Sequence, residues 1–386
     1  MANITGVRTS ENILQARRVV DMARDIALLE PNEAPFVTFL KMSKKNSRSC
    51  YNPKFEWLED ELLAKWDKVS AQATAEATSL TVTSGDIFRS GDILKVPSTG
   101  ENMMVTAVSS NTLTVVRGYG STTAAAITAN ADILNVGSAM PENSNSRTVK
   151  TTQETSNFNY TQIFRTPISL SGTEAASKLY GGKDRAYQRK KAAIEHKRDI
   201  GLSFYYGERK LDTTGDTPRR TTGGLLSFLT AASQTVAFDK SSNPLTYQNF
   251  DTTVAQKAFR YGSKEKLLIA GPMLASAING WAIGDLRTKA DPAATYGINV
   301  VNLITSYGTL RIIYDPMLEG SIYGGYGIVL DAENVAYRYM EGRDTKLNVD
   351  IQAPDTDGVV DEYITECGLE VKLPKTHMLV TGAYVG

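Results

Sequence analysis

The chain is poor in the residues that do most enzyme chemistry. Of its 386 residues two are cysteine, Cys50 and Cys367, and two are histidine, His196 and His377. Two cysteines cannot build a disulfide framework, and no Cys-x-x-Cys pair is present to seed a zinc or redox site. HExxH, GxSxG and GxxxxGK(S/T) are all missing, so the sequence advertises no metal centre, nucleophile elbow or phosphate loop. No catalytic residue, metal or cofactor is expected. Net charge is also missing: 42 basic residues balance 42 acidic ones. No global field then draws the chain to nucleic acid or membrane, and any electrostatic targeting is local. No apolar run reaches membrane-spanning length. The opening MANITGVRTSENILQ lacks the basic and apolar regions of a signal peptide. These absences lead to the expectation of a soluble product made in the cytoplasm.

What is present is a chain with a core to bury. Hydrophobic residues make up 41% and charged residues 22%, a globular balance. The length points to two or three domains. The most regular stretch runs from Lys183 to Tyr206, without proline or a turn cluster. Ala186, Ala193, Ile194, Ile200, Phe204 and Tyr205 read as its apolar stripe. Lys183, Arg185, Arg189, Lys190, Lys191, Lys197 and Arg198 read as a basic opposite face. Such a helix is roughly 35 Å long, a spine across which other elements are laid.

Before the spine, residues 12 to 29 read as an amphipathic helix with Val19, Met22, Ile26 and Leu29 in one stripe. Pro31 and Pro35 predict an extended stretch after it, carrying Phe36 and Phe39. A basic patch follows at Lys41, Lys44, Lys45 and Arg48. Residues 54 to 63, KFEWLEDELL, set Phe55 and Trp57 beside four acids. Neighbours such as Glu59, Asp60 and Glu61 point to different faces in regular structure, so they read as a solvated strip that pairs with a partner, not as a metal cluster. From Ser79 to Gly137 short β-rich runs alternate with turn clusters, the pattern of a small barrel or sandwich. Polar stretches at 69–78 and 138–157 flank it. Within it, Arg117-Gly118-Tyr119-Gly120 belongs to an all-β module and so does not read as a phosphate loop.

Asn159 to Leu170 reads as a returning strand. Residues 247 to 330 read as an α/β unit, with helices around Phe250–Phe259 and Met273–Trp281 and strands at 267–270, 300–305, 310–314 and 328–330. Residues 338–351 and 359–372 read as a final antiparallel pair. Their loop, Asp355-Thr356-Asp357-Gly358, begins like a calcium loop but lacks its third ligand and closing glutamate; it reads as a turn.

This order of parts resembles the major capsid proteins of tailed double-stranded DNA bacteriophages, the Hong Kong 97-type fold. Leu29-Glu30-Pro31-Asn32-Glu33-Ala34-Pro35-Phe36 is similar to the opening motif of one branch of that family. Phe55-Glu56-Trp57 with Glu59-Asp60 resembles the start of its extended loop, and Tyr363 to Val371 its closing strand. The resemblance implies an α+β fold. Residues 1–34 would be an N-terminal arm, 35–78 and 138–170 an extended loop (E-loop), and 79–137 an inserted β-barrel. Residues 171–247 and 331–386 would form a P-domain with the spine helix, and 248–330 an A-domain. It implies self-assembly into hexamers and pentamers of an icosahedral phage head, assembled in the bacterial host cytoplasm. The partners would be a separate scaffolding protein, a portal, a decoration protein and non-specifically packaged double-stranded DNA. Phe36, Phe39, Trp57, Glu59 and Asp60 are the expected subunit-interface residues. Arg185, Arg189 and Lys190 are the expected DNA-facing positions. An encapsulin-type nanocompartment and a phage tail or surface adhesin are the alternatives.

Overall fold

The computed structural model describes residues 34–42, 46–177, 183–284, 288–290 and 301–384. The helix expected over 12–29, and Lys44 and Lys45 of the basic patch, lie outside them. The described chain divides into two compact units, one of residues 58–156 and one formed by the rest.

In the larger unit the first described element is a helix, Pro35–Met42, where an extended stretch was expected. Proline at the first helical position gives up an N–H that has no partner there anyway, and its fixed φ suits the helix. Phe36, Val37 and Leu40 then fall on one side and are buried. Strand Ser47–Cys50 follows. It lies parallel to Val335–Met340, which runs antiparallel to the 14-residue strand Gly358–Val371. Gln162–Ser171 closes the other side of that strand in a continuous ten-residue register, Gln162 opposite Cys367 to Ser171 opposite Gly358. Lys346–Asn348 pairs with the same long strand. We call this the lateral sheet.

Two expected strands are broken. The return over 159–170 is two strands, Thr155–Tyr160 and Gln162–Ser171. The break falls at Thr161, whose N–H goes to the Pro53 carbonyl and whose hydroxyl donates to Glu366. The strand over 338–351 is split between Met340 and Lys346. There Gly342 adopts φ +75°, a left-handed turn that only glycine takes without strain, and Arg343 N–H returns to Met340.

The second sheet of this unit has seven strands, in the order 235–237, 378–381, 327–330, 265–270, 309–314, 301–304, 288–290. Its centre, Glu265–Ala270, is buried from Lys266 to Ala270. That is why the sequence reads there as a continuous apolar run and not as an alternating one. Helix Pro272–Gly284 and the helical stretch from Tyr247 to Ala258 coincide with the two helices expected in this α/β region.

The spine helix, Asp184–Tyr206, is 23 residues long. It stops at Gly207, where a Cβ would lie 2.4 Å from the Ser203 carbonyl oxygen and 2.5 Å from that of Thr222. The close crossing of 207 and 224, joined by Gly224 N–H to Gly207 O at 2.8 Å, therefore demands glycine.

The smaller unit is a six-stranded antiparallel sheet in the order 66–68, 132–138, 92–95, 102–109, 112–116, 79–81. Its first strand comes from Trp66–Lys68, upstream of the 79–137 stretch. Past the two end strands Val69 bridges to Val82, and Ser70 N–H and Thr83 N–H bond to Thr81 O and Lys68 O at 2.9 Å. Its core contains Leu80, Phe88, Leu94, Met103, Val105, Leu113 and Ile133. A buried Glu101 accepts from Arg117 Nε and Nη2, each at 2.8 Å, and from the N–H groups of Gly118 and Ala125. Arg117-Gly118-Tyr119-Gly120 is thus a loop tied down by an ion pair.

Candidate functional site

The spine helix meets the lateral sheet along one row of side chains, Arg185, Arg189, Ala192, His196, Ile200 and Phe204. Spacings of three and four keep these on a single helical face. This row differs from the expected stripe: Ala186 is exposed, and Ala193 and Ile194 are only half-buried. The reason is visible in the partners. The facing strand 358–371 alternates, and its spine-side residues change from Asp361 through Thr365 to Cys367, Leu369 and Val371. The helix matches that gradient from cationic to polar to apolar.

At the charged end Arg185 grips Asp361 with Nε–Oδ2 at 2.8 Å and Nη2–Oδ1 at 2.6 Å, and also reaches Asp350 at 2.8 Å. Arg189 Nε adds a third contact to Asp361 at 2.8 Å, and the Asp350 N–H a fourth at 3.1 Å. Asp361 is 1% exposed. The Arg185 hydrogen bonds hold its carboxyl well below the usual carboxylate range. In the middle His196 is buried. Its Nδ1 lies 2.9 Å from the Thr166 hydroxyl and its Nε2 2.7 Å from that of Thr365, and burial lowers its pKa. At the apolar end Tyr205 donates to Asp315 at 2.6 Å, while Phe36 stacks on Tyr205 with ring centroids 5.4 Å apart. Burial raises the Asp315 pKa.

The far face of strand 358–371 carries Glu362, Glu366 and Glu370, each nearly buried and each answered by a cation. Arg165 binds Glu362 through two 2.7 Å contacts. Arg343 binds Glu366 at 2.7 Å, and Arg338 and Lys372 both bind Glu370. Bidentate, charge-assisted pairs of this kind fix geometry as much as they add energy. The two cysteines are buried. They sit on strands separated by the 335–340 strand, about 9.6 Å apart at ordinary strand spacing, too far for a disulfide.

The expected site residues take the following places. Phe36 is 2% exposed and Trp57 5%; each packs inside its own chain, Phe36 in the main core and Trp57 with Cys50, Phe55 and Phe228. Phe39 is partly buried against the same main core. Phe36 and Trp57 thus pack in cores of their own subunit, while Phe39 keeps part of its surface exposed. The polar members of that set remain at the surface: Asp60 is exposed, accepts from Thr152 at 2.8 Å, and has half-buried Glu59 beside it. Of the positions expected to face DNA, Arg185 and Arg189 are half-buried and paired with Asp361, and Lys190 is exposed. Sequence reasoning missed His196 and the buried acids of 358–371. The signal available was the four-residue spacing of Glu362, Glu366 and Glu370, an even spacing that puts all three on one face of a strand.

The chain matches the family model for the SU10 major capsid protein over residues 3–384. It is 28% identical over 295 residues to the major capsid protein of Pseudomonas phage PaMx41, covering 72% of this chain and 69% of that one. Its fold is similar to the capsid chain of an empty GTA particle, with TM-score 0.52, 10% identity and coverage of 97% and 98%. It is also similar to a chain from Mycobacterium phage Cain, with TM-score 0.51, 10% identity and coverage of 99% and 100%. A mixed α/β subunit matched over residues 3–384 by a capsid family has one reading: the chain belongs to the SU10 major capsid protein family and is a structural protein of a bacteriophage shell.

Proposed function

We propose that this chain builds an icosahedral head of hexamers and pentamers that encloses double-stranded DNA, assembled in the bacterial host cytoplasm. The observation that carries the reading is the family match running over nearly the whole chain. Self-association of one chain into closed rings needs two different surface patches that meet head to tail. A separate scaffolding protein, a portal and a decoration protein belong to the reading.

Residues 1–34 act as an N-terminal arm, and 35–78 with 138–170 as an E-loop interrupted by a small β-barrel at 79–137. The Val69–Val82 bridge between the end strands supports closure of that barrel. Residues 171–247 and 331–386 act as a P-domain around the spine, supported by the spine's contacts with the lateral sheet. Residues 248–330 act as an A-domain. DNA is held without sequence readout, by charge alone.

The test is expression together with the neighbouring genes, followed by electron microscopy and extraction of nuclease-protected contents. Closed shells containing DNA are expected. Shells filled with an enzyme would favour the nanocompartment reading, and a stable monomer under assembly conditions would refute both.

A further inference from the structure

The sheets of five, seven and six strands have two edges each. Five of these edges are strands of three or four residues: Ser47–Cys50, Thr235–Ala237, Thr288–Ala290, Trp66–Lys68 and Ser79–Thr81. The sixth is Gln162–Ser171, ten residues long and paired on one side only. A long free edge is a ready template for another chain, and shortness is one way natural sheets avoid that. An open groove of about 330 Å³ between residues 166–170 and the spine leaves this long edge reachable.

The partner strand shows which backbone groups face outward. Opposite Ile163, the Glu366 N–H turns away to Arg343 O. Opposite Ser169, the Val360 N–H goes to Gln352 Oε1, and Val360 O takes the Ile351 N–H. Antiparallel ladders alternate, so Ile163, Arg165, Pro167 and Ser169 direct their backbone groups to the free edge. None of those groups has a partner among the described residues. Pro167 is also the only proline inside a described strand. It has no N–H, and its ring fills the place where a donor would stand. At an inward position it would break the ladder; at this outward one it leaves the fold intact.

We propose that Pro167 guards this edge: it keeps the strand of one copy from pairing with the same strand of a second copy, so that copies meet through other surfaces. Two such strands side by side and antiparallel share one register that engages all four outward residues, Ile163 with Ser169 and Arg165 with residue 167, in both directions. The edge is self-complementary in that register except at the proline, which is why the chain kept out is a second copy. Each Pro167 there withholds a donor from the Arg165 carbonyl of the other copy and pushes that carbonyl away. Restoring both donors is expected to tighten self-association roughly a hundredfold.

The experiment uses the full-length chain below its assembly concentration, as wild type, as Pro167→Val, and as the double variant Pro167→Val with Ser169→Pro. The double variant moves the proline to the next outward position, again without touching the ladder. Sedimentation over a concentration series and hydrogen exchange of residues 162–171 are read together. Pro167→Val is expected to keep the wild-type melting temperature. It is also expected to form dimers and larger species at concentrations where wild type does not, with slowed exchange at Ile163, Arg165 and Ser169. The double variant is expected to return to wild-type behaviour. Wild-type sedimentation of Pro167→Val would overturn the proposal. So would association that the second proline fails to reverse, or that leaves the 162–171 amides unprotected, since its cause would then lie elsewhere. Slow exchange of Ile163 and Arg165 in the unassembled wild type would overturn it too, because the edge would already be paired.

Discussion

Arg185 and Asp361 are joined by two parallel hydrogen bonds, at 2.8 and 2.6 Å, with the carboxylate 1% exposed and the guanidinium about one-third exposed. This pair pins the start of the spine to the lateral sheet.

Removing one partner of such a pair leaves a buried charge without compensation, which typically costs 3–5 kcal/mol. Asp361→Ala is therefore expected to lower subunit stability by about that much in denaturant melts. Lys191→Glu, on the exposed face of the same helix, loses the Glu195 pair and sets two acids one turn apart, and is expected to cost no more than about 1 kcal/mol. Equal effects would show that the inward row has been wrongly assigned.

Phe36 tests whether the aromatics near the N-terminus serve the subunit or its neighbours. Its ring is buried against Tyr205, so Phe36→Ala is expected to cost about 3–5 kcal/mol in the unassembled chain. A normal melt with defective shells would return Phe36 to an interface.

His377 gives stability a pH dependence with a definite sign. Its Nδ1 accepts from the Asp331 N–H at 3.0 Å, so Nε2 carries the proton and donates to Lys372 O at 3.0 Å. Burial drives its pKa down to about 4. A histidine held neutral in the fold contributes fully above its unfolded pKa of about 6.5 and loses that contribution as pH falls through the folded value. Between roughly pH 6.5 and 4 the loss is on the order of 3 kcal/mol. His196, also lowered by burial, acts with the same sign, while the raised Asp315 opposes it. Comparing the pH slope of melts with that of His377→Gln isolates the term. An unchanged slope in the variant would refute it.

The smaller unit should be removable, with boundaries wider than 79–137. Asp60 and Thr152 lie within hydrogen-bonding distance, 2.8 Å, so a short linker can join the chain there. Replacing residues 62–150 by a few Gly/Ser residues is expected to leave a folded subunit. Cutting only 79–137 leaves strand Trp66–Lys68 without its partner Asp132–Leu134, and is expected to give insoluble protein. Equal solubility of the two deletions would contradict this division.

Deleting residues 1–30 is expected to reduce closed shells far more than the melting temperature. Their apolar side chains each offer about 1.5–3 kcal/mol to whatever surface covers them. A large drop in melting temperature with normal shells would make that surface the parent subunit.

By itself the sequence determined those features whose cause is local or periodic. The spine's extent follows from 23 residues without proline or a turn cluster, bounded by Gly207. The buried central strand Glu265–Ala270 follows from an unbroken apolar run, and the short-strand texture of the smaller unit from alternation and turns. Tertiary structure decided what depends on the partner. Arg185, Arg189 and His196 look solvated in sequence because periodicity sees polarity, not the Asp361 carboxylate and Thr365 hydroxyl that meet them across 169 residues or more. Pro35 could open a helix or extend a strand, and burial of Phe36, Val37 and Leu40 against the spine chose the helix. Trp57 and Leu58 are neighbours of similar hydropathy; strand alternation sends one into the core and the other into water, and only the folded register fixes which.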